Sequence, residues 1–127
     1  MAVIIETEVE IARPSQQVFE YVTTPALWHT WHPATVEVRD VPDRPLTTGE
    51  TMLELIAVGS RRDKALWTVR ACEPPARWEI ATDTPNGSAD IVYRIAPTAA
   101  GAASIARCAS APSAGPGACS IRRSRAG

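Results

Sequence analysis

The sequence predicts an α+β fold built on one curved antiparallel sheet, and three observations predict it. Apolar and polar residues alternate with period two in six separate segments. Turn chemistry separates the later segments, so neighbouring strands run antiparallel. Helical spacing is confined to one stretch, after the first strand. The expectation is about six to seven strands, with two short helices following strand one.

The first segment, Val3 to Ile11, places Ile5, Thr7, Val9 and Ile11 on one face and Glu6, Glu8 and Glu10 on the other. Arg13-Pro14-Ser15 breaks it, and Ser15 beside Pro14 suits a helix start. Val18, Phe19 and Val22 then share a helical side, opposite Gln16, Gln17 and Glu20. Thr24-Pro25 reads as a cap with proline at the first position of a second short helix, which must end before Pro33. Further strands are expected at about Thr35–Val41, Thr51–Val58, Lys64–Cys72, Arg77–Thr82 and Ser88–Ala96. Between them lie Pro42 to Gly49, Gly59 to Asp63, Glu73-Pro74-Pro75 and Pro85-Asn86-Gly87.

The pleat then sorts side chains onto two faces. Val36, Val38, Leu53, Leu55, Trp67, Val69, Trp78, Ile80, Ile91, Tyr93 and Ile95 are assigned to the dry face. Glu37, Arg39, Glu54, Arg70, Glu79, Asp90 and Arg94 are assigned to the wet one.

A chain of 127 residues with 45% hydrophobic and 21% charged residues has the composition of one soluble domain, not of a disordered chain. No apolar run is long enough to span a bilayer, and the acidic N-terminus lacks the basic region of a secretory signal, so a cytoplasmic location and no membrane insertion are expected. The net charge of −1 is split: residues 1–90 carry fourteen acids against eight bases, whereas residues 91–127 hold five arginines and no acid. That basic end lacks interleaved aromatics, so no nucleic-acid partner is expected. The three cysteines, Cys72, Cys108 and Cys119, form no C-x-x-C pair and indicate neither a disulfide framework nor a zinc knuckle. From Ala99 onward ten of 29 residues are Ala, and only Ile105 and Ile121 are large aliphatics. Such a stretch is expected to be disordered or only locally structured.

The order strand, two short helices, strand meander resembles the START-like, helix-grip (SRPBCC) superfamily, in particular its polyketide cyclase/dehydrase-like branch. Ile11-Ala12-Arg13-Pro14 through Val18-Phe19, then Thr24-Pro25 and Trp31-His32-Pro33, carry the resemblance. Gly49-Glu50, Val69 with Glu73-Pro74-Pro75-Ala76-Arg77-Trp78, and Tyr93-Arg94-Ile95-Ala96-Pro97 before Gly101 extend it. The resemblance implies a sheet gripping a long C-terminal helix, with an apolar pocket between them. It covers residues 3 to about 101, so the expected division is a START-like domain at 1–101 and a low-complexity tail at 102–127, frameshifted or disordered. The usual C-terminal helix is expected to be missing. A homodimer would then cover the sheet face around Trp67 and Trp78.

For function, the resemblance implies a small hydrophobic ligand, lipid- or polyketide-like, held by Trp28, Trp31, Met52, Leu55, Trp67, Trp78 and Tyr93. Indole N–H groups would orient it. No cofactor is expected. A second reading is a cyclase or dehydratase, with His32 and Tyr93 as candidate proton-transfer groups; a third is a truncated or frameshifted product without activity of its own. His29 and His32, three apart, would share a helical face, but no matching acid or cysteine completes a metal site. Glu54 and the other wet-face carboxylates read as solvated, Glu50 as a turn residue, and Cys72 as a wet-face cysteine with no base nearby. Phosphate-binding loops and a G-x-S-x-G elbow are absent.

Overall fold

Period-two patterning becomes seven strands of one sheet in the computed structural model, which describes residues 3–84 and 87–110. In chain order these are β1 (Val3–Ile11), β2 (Thr35–Arg39), β3 (Thr51–Val58), β4 (Arg61–Glu73), β5 (Arg77–Thr84), β6 (Gly87–Pro97) and β7 (Ala102–Ser110). Helix α1 (Ser15–Thr23) and a 3-10 helix (Pro25–Thr30) lie between β1 and β2. The spatial order is β1-β7-β6-β5-β4-β3-β2, with every pair antiparallel. Consecutive strands β1 and β2 therefore sit at opposite edges. Their connection must cross the whole sheet, which lays α1 over β6 and β7 and the 3-10 helix beside β2.

Helix α1 starts after Pro14, whose carbonyl accepts from Val18 N–H at 3.1 Å. It buries Val18, Phe19 and Val22, each contributing about 1.5–3 kcal/mol on transfer from water. Thr23 and Thr24 hydroxyls turn back to the Phe19 and Glu20 carbonyls, and Pro25 then opens the 3-10 helix. Thr24 holds the N-cap position of the 3-10 helix, its carbonyl accepting from Leu27 N–H, while its side chain closes α1.

Four sequence expectations are corrected. First, β3 is inverted: Met52, Glu54 and Ile56 are buried, while Leu53 and Leu55 lie on the other face. The cause is register. Val58 pairs with Arg61 around a two-residue Gly59-Ser60 turn, which puts Met52 opposite Trp67 and Glu54 opposite Ala65. A one-residue difference in parity moves every side chain to the other face. Leu55 thus pairs with Lys64 and leaves the candidate ligand set.

Second, a bulge between Thr35 and Glu37 turns Val36 out to 54% exposure, so it does not belong to the dry face. Third, an irregularity between Val69 and Ala71 brings Cys72 opposite Trp78 and against the core, reversing its wet-face assignment. Burial raises its thiol pKa.

Fourth, the chain does not leave the fold at Gly101. Gly101 takes φ +155 in the β6–β7 turn, where a Cβ would press on Arg13 and Ile11 backbone atoms, and β7 follows directly. Its small residues offer little side-chain bulk. Between β1 and β6, however, β7 pairs along both edges, and Ala106 opposite Tyr93 and Ala102 opposite Pro97 leave room for bulk on the neighbouring strand. The expectations for a tail and for a missing C-terminal helix otherwise fall on residues 111–127, outside the described residues. Trp67 and Trp78 are 1% and 0% exposed within the single chain, so covering them requires no second subunit. No helix among the described residues is long and apolar enough to cross a membrane.

Candidate functional site

The dry face carries an aromatic cluster tied down by backbone carbonyls. Trp28, on the 3-10 helix, donates its indole N–H to the Val22 carbonyl of α1 at 2.9 Å. Trp78, on β5, donates to the Leu46 carbonyl at 3.0 Å, and Leu46 N–H in turn reaches the Thr23 carbonyl. These bonds pin the helices and the β2–β3 loop against the sheet. The rings then meet edge to face: Trp28 and Trp78 at 6.3 Å between centroids, Trp28 and Trp31 at 5.9 Å, Trp31 and Tyr93 at 6.5 Å. Trp78 lies tilted against Tyr93 at 5.9 Å, directly opposite it across β5 and β6. Such contacts add about 0.5–1.5 kcal/mol each beyond burial of the rings. Trp28, Trp31, Trp78 and Tyr93 are thus brought together. Met52 and Trp67 join the same face side by side.

Two polar atoms of this cluster, Trp31 Nε1 and Tyr93 Oη, are buried without a hydrogen-bond partner among the described residues. Burial raises the Tyr93 pKa, with the Glu54 charge adding to it, so the phenol stays protonated and can donate.

Beside the aromatics lies a polar group that the sequence did not disclose. Glu54 is 2% exposed. Its Oε1 accepts from Trp67 Nε1 at 2.9 Å, and its Oε2 lies 2.5 Å from Thr35 Oγ1. The same hydroxyl is 2.5 Å from His32 Nδ1. His32 is placed by the end of the 3-10 helix: its N–H bonds to the Trp28 carbonyl, and Thr35 N–H closes a turn onto the His32 carbonyl. His32 Nδ1 and Glu54 Oε2 are 3.6 Å apart, which has the geometry of an ion pair. Burial nevertheless raises the Glu54 pKa and lowers that of His32 to about 4. Burial works against both charges, so the fold keeps the imidazole neutral near neutral pH and favours the protonated form of the carboxyl over its anion.

Thr35 has a single hydroxyl hydrogen, so it accepts on one side and donates on the other. With Glu54 protonated at Oε2, Glu54 donates to Thr35 and Thr35 to His32 Nδ1. With Glu54 ionised, both bonds reverse. The three groups therefore form a path along which one proton can pass between carboxyl and imidazole.

Thr35 and Glu54 escaped sequence reasoning, yet a signal was present. Locating the two-residue turn at Gly59-Ser60 and counting back from Trp67 would have put Glu54 indoors. His29 is exposed and His32 buried, so the two histidines do not share a site; among the described residues no cluster of His, Cys, Asp or Glu could hold a metal.

Solved structures carry the same fold. A Deinococcus radiodurans protein matches at 13% identity and TM-score 0.69, covering 94% of this chain and 88% of its own. A Chromobacterium violaceum protein matches at 16% identity and TM-score 0.68, covering 89% and 83%. A Rhodobacter sphaeroides protein matches at 18% and 0.66, covering 83% and 70%. Identity this low shows shared architecture alone. Among curated proteins, none matches the chain. The model of one family, polyketide cyclase/dehydrase and lipid transport, does match, over residues 2–118. With nearly the whole chain matched and the helix-grip sheet in place, the protein belongs to the polyketide cyclase/dehydrase and lipid transport family.

Proposed function

We propose that the protein binds a small hydrophobic molecule against the aromatic cluster of Trp28, Trp31, Trp78 and Tyr93. The observation that carries this reading is the pair of buried, unpartnered donors, Trp31 Nε1 and Tyr93 Oη, on rings that otherwise pack closely. Buried donors are expensive to leave unpaired, about 1–3 kcal/mol each, and a ligand acceptor offsets that cost. Membership of a family that includes lipid transport supports the same reading. Titration with N-phenylnaphthylamine tests it. Saturable quenching of tryptophan fluorescence is expected, with a rise in melting temperature as ligand exceeds Kd. Absence of saturable quenching overturns the proposal.

A second reading, acid–base catalysis on a polyketide-like chain, is favoured by one specific observation: the Glu54–Thr35–His32 path. In that reading Glu54 protonates His32 Nδ1 through the Thr35 hydroxyl as the Nε2 proton of His32 passes to the substrate, and the reverse transfers restore both groups. His32→Ala separates the two. A binder retains dye affinity, whereas an enzyme keeps binding and loses turnover.

A further inference from the structure

The chemistry of the site restricts what its occupant can be. Trp31 offers an indole N–H, which can only donate, and Tyr93 offers a protonated phenol. The occupant must therefore bring an acceptor. An anionic acceptor would need a positive partner, and none of the described buried residues provides one. The buried polar and charged residues among those described are Thr23, Thr24, His32, Thr35, Glu54 and Thr82, without a single Lys or Arg. His32 is uncharged near neutral pH, because burial lowers its pKa to about 4. Glu54, close enough for its charge to act on the Tyr93 hydroxyl, would repel a second carboxylate if ionised. A buried anion without a countercharge is strongly unfavourable.

We infer that the site selects neutral apolar molecules bearing a carbonyl group, whose oxygen accepts from Trp31 Nε1–H, Tyr93 Oη–H or both, and that it discriminates against fatty acids and other carboxylates. This deepens the ligand-binding reading and rests on it.

Three shape-matched probes test the selection: methyl naphthyl ketone, ethylnaphthalene and naphthoate, each titrated calorimetrically into the full chain at about pH 8, where naphthoate is ionised. The ketone is expected to bind about tenfold more tightly than the hydrocarbon, the worth of one good hydrogen bond, and about a hundredfold more tightly than the carboxylate. Tyr93→Phe, which removes only the hydroxyl, is expected to cut the ketone's advantage over the hydrocarbon several-fold. In NMR spectra the Trp31 indole N–H resonance is expected to lie further downfield with the ketone bound than with ethylnaphthalene bound, the two naphthalene rings contributing the same ring current.

Equal or tighter binding of naphthoate overturns the inference. So does a ketone affinity untouched by Tyr93→Phe together with a Trp31 indole resonance that lies no further downfield with the ketone than with ethylnaphthalene. If N-phenylnaphthylamine binds in either case, only the selection for carbonyls has failed. If the dye and all three probes fail to bind, the ligand-binding reading falls with it. Should Tyr93→Phe not fold, the indole resonance of the unaltered protein decides the matter.

Discussion

Glu50 and Glu54 stand four residues apart, on either side of the start of β3, and the fold treats them in opposite ways. Glu50 sits at the rim. Arg44 grips its carboxylate with two bonds, at 2.7 and 2.8 Å, and the Thr47 N–H adds a third at 2.8 Å. Hydrogen bonding from Arg44 and then from Thr47 lowers its pKa to about 2. Glu54 has no cationic partner; burial raises its pKa, and its bonds from Thr35 and Trp67 only partly oppose that rise. The rim carboxylate fastens a surface loop as an anion. The interior one is a masked acid within a proton path, next to the aromatic cluster. The difference teaches that residue type and strand position say little about a carboxylate until its partners and its face are known.

The largest expected effect comes from cutting Glu54 out. Glu54→Ala strands the Trp67 indole N–H, takes one partner from Thr35 and leaves a hole among buried side chains. A loss of about 2–4 kcal/mol is expected, read as a shift of the urea midpoint. Glu50→Ala, measured beside it, should move the midpoint far less, because its partners return to water. A Glu54→Ala protein as stable as the parent would break the comparison by showing that Glu54 is no more embedded than Glu50.

Why one of these residues was legible in the sequence and the other was not follows from what period-two patterning can report. β1 and the face assignments of β5 and β6 are readable because bulky residues alternate with charges there, whereas for β3 the Gly-Glu turn reveals the strand but not its face. In Met52-Leu53-Glu54-Leu55-Ile56 both parities are largely apolar, so transfer preference favours two leucines over a glutamate. Hairpin register decides otherwise. Val36 and Cys72 were misplaced by irregularities in β2 and β4, which periodicity cannot register. β7 was missed because its stability comes from paired backbone on two sides rather than from side-chain bulk. Of the site, the aromatic members were legible as bulk on one face. The Glu54–Thr35–His32 path was not, because it depends on a turn that brings residues 32 and 35 together and on a strand contact nineteen residues later.

The pH dependence of stability sharpens the contrast. Glu54 rises from 4.5 on folding and His32 falls from 6.5 to about 4. Between 4.5 and 6.5 the unfolded chain holds its proton on His32, while above 4.5 the folded chain still holds one on Glu54 for as far as its raised pKa reaches. While folded Glu54 keeps that proton, folding takes up none and this pair contributes no slope. Wherever folded Glu54 still keeps its proton after unfolded His32 has lost its own, stability declines with rising pH. In Glu54→Gln only the His32 component remains. That variant should gain stability from about pH 4.5 to 6.5 at close to 1.4 kcal/mol per pH unit, and then level off. Urea denaturation across that range reads the slope. A variant whose profile parallels the parent's would mean that Glu54 enters the fold already ionised.

The smallest expected effect belongs to the rim, and its sign is reversed. Glu50 has a folded pKa below its unfolded value, so its contribution is present above about 4.5 and is lost as pH falls towards about 2. Glu50→Gln should therefore be slightly less stable than the parent near pH 6, and the gap should close in acid. Glu54→Gln should instead improve relative to the parent as pH rises above 4.5. Arg44→Ala should reproduce the Glu50→Gln curve, because the bidentate bond is the leading cause of the Glu50 shift. High salt should flatten both rim curves and leave the Glu54→Gln curve nearly unchanged, since screening reaches exposed charges and not a carboxyl shut in by Trp67 and Thr35. If salt flattens the Glu54→Gln curve as well, water reaches the interior carboxyl, and the contrast between the two glutamates is one of degree only.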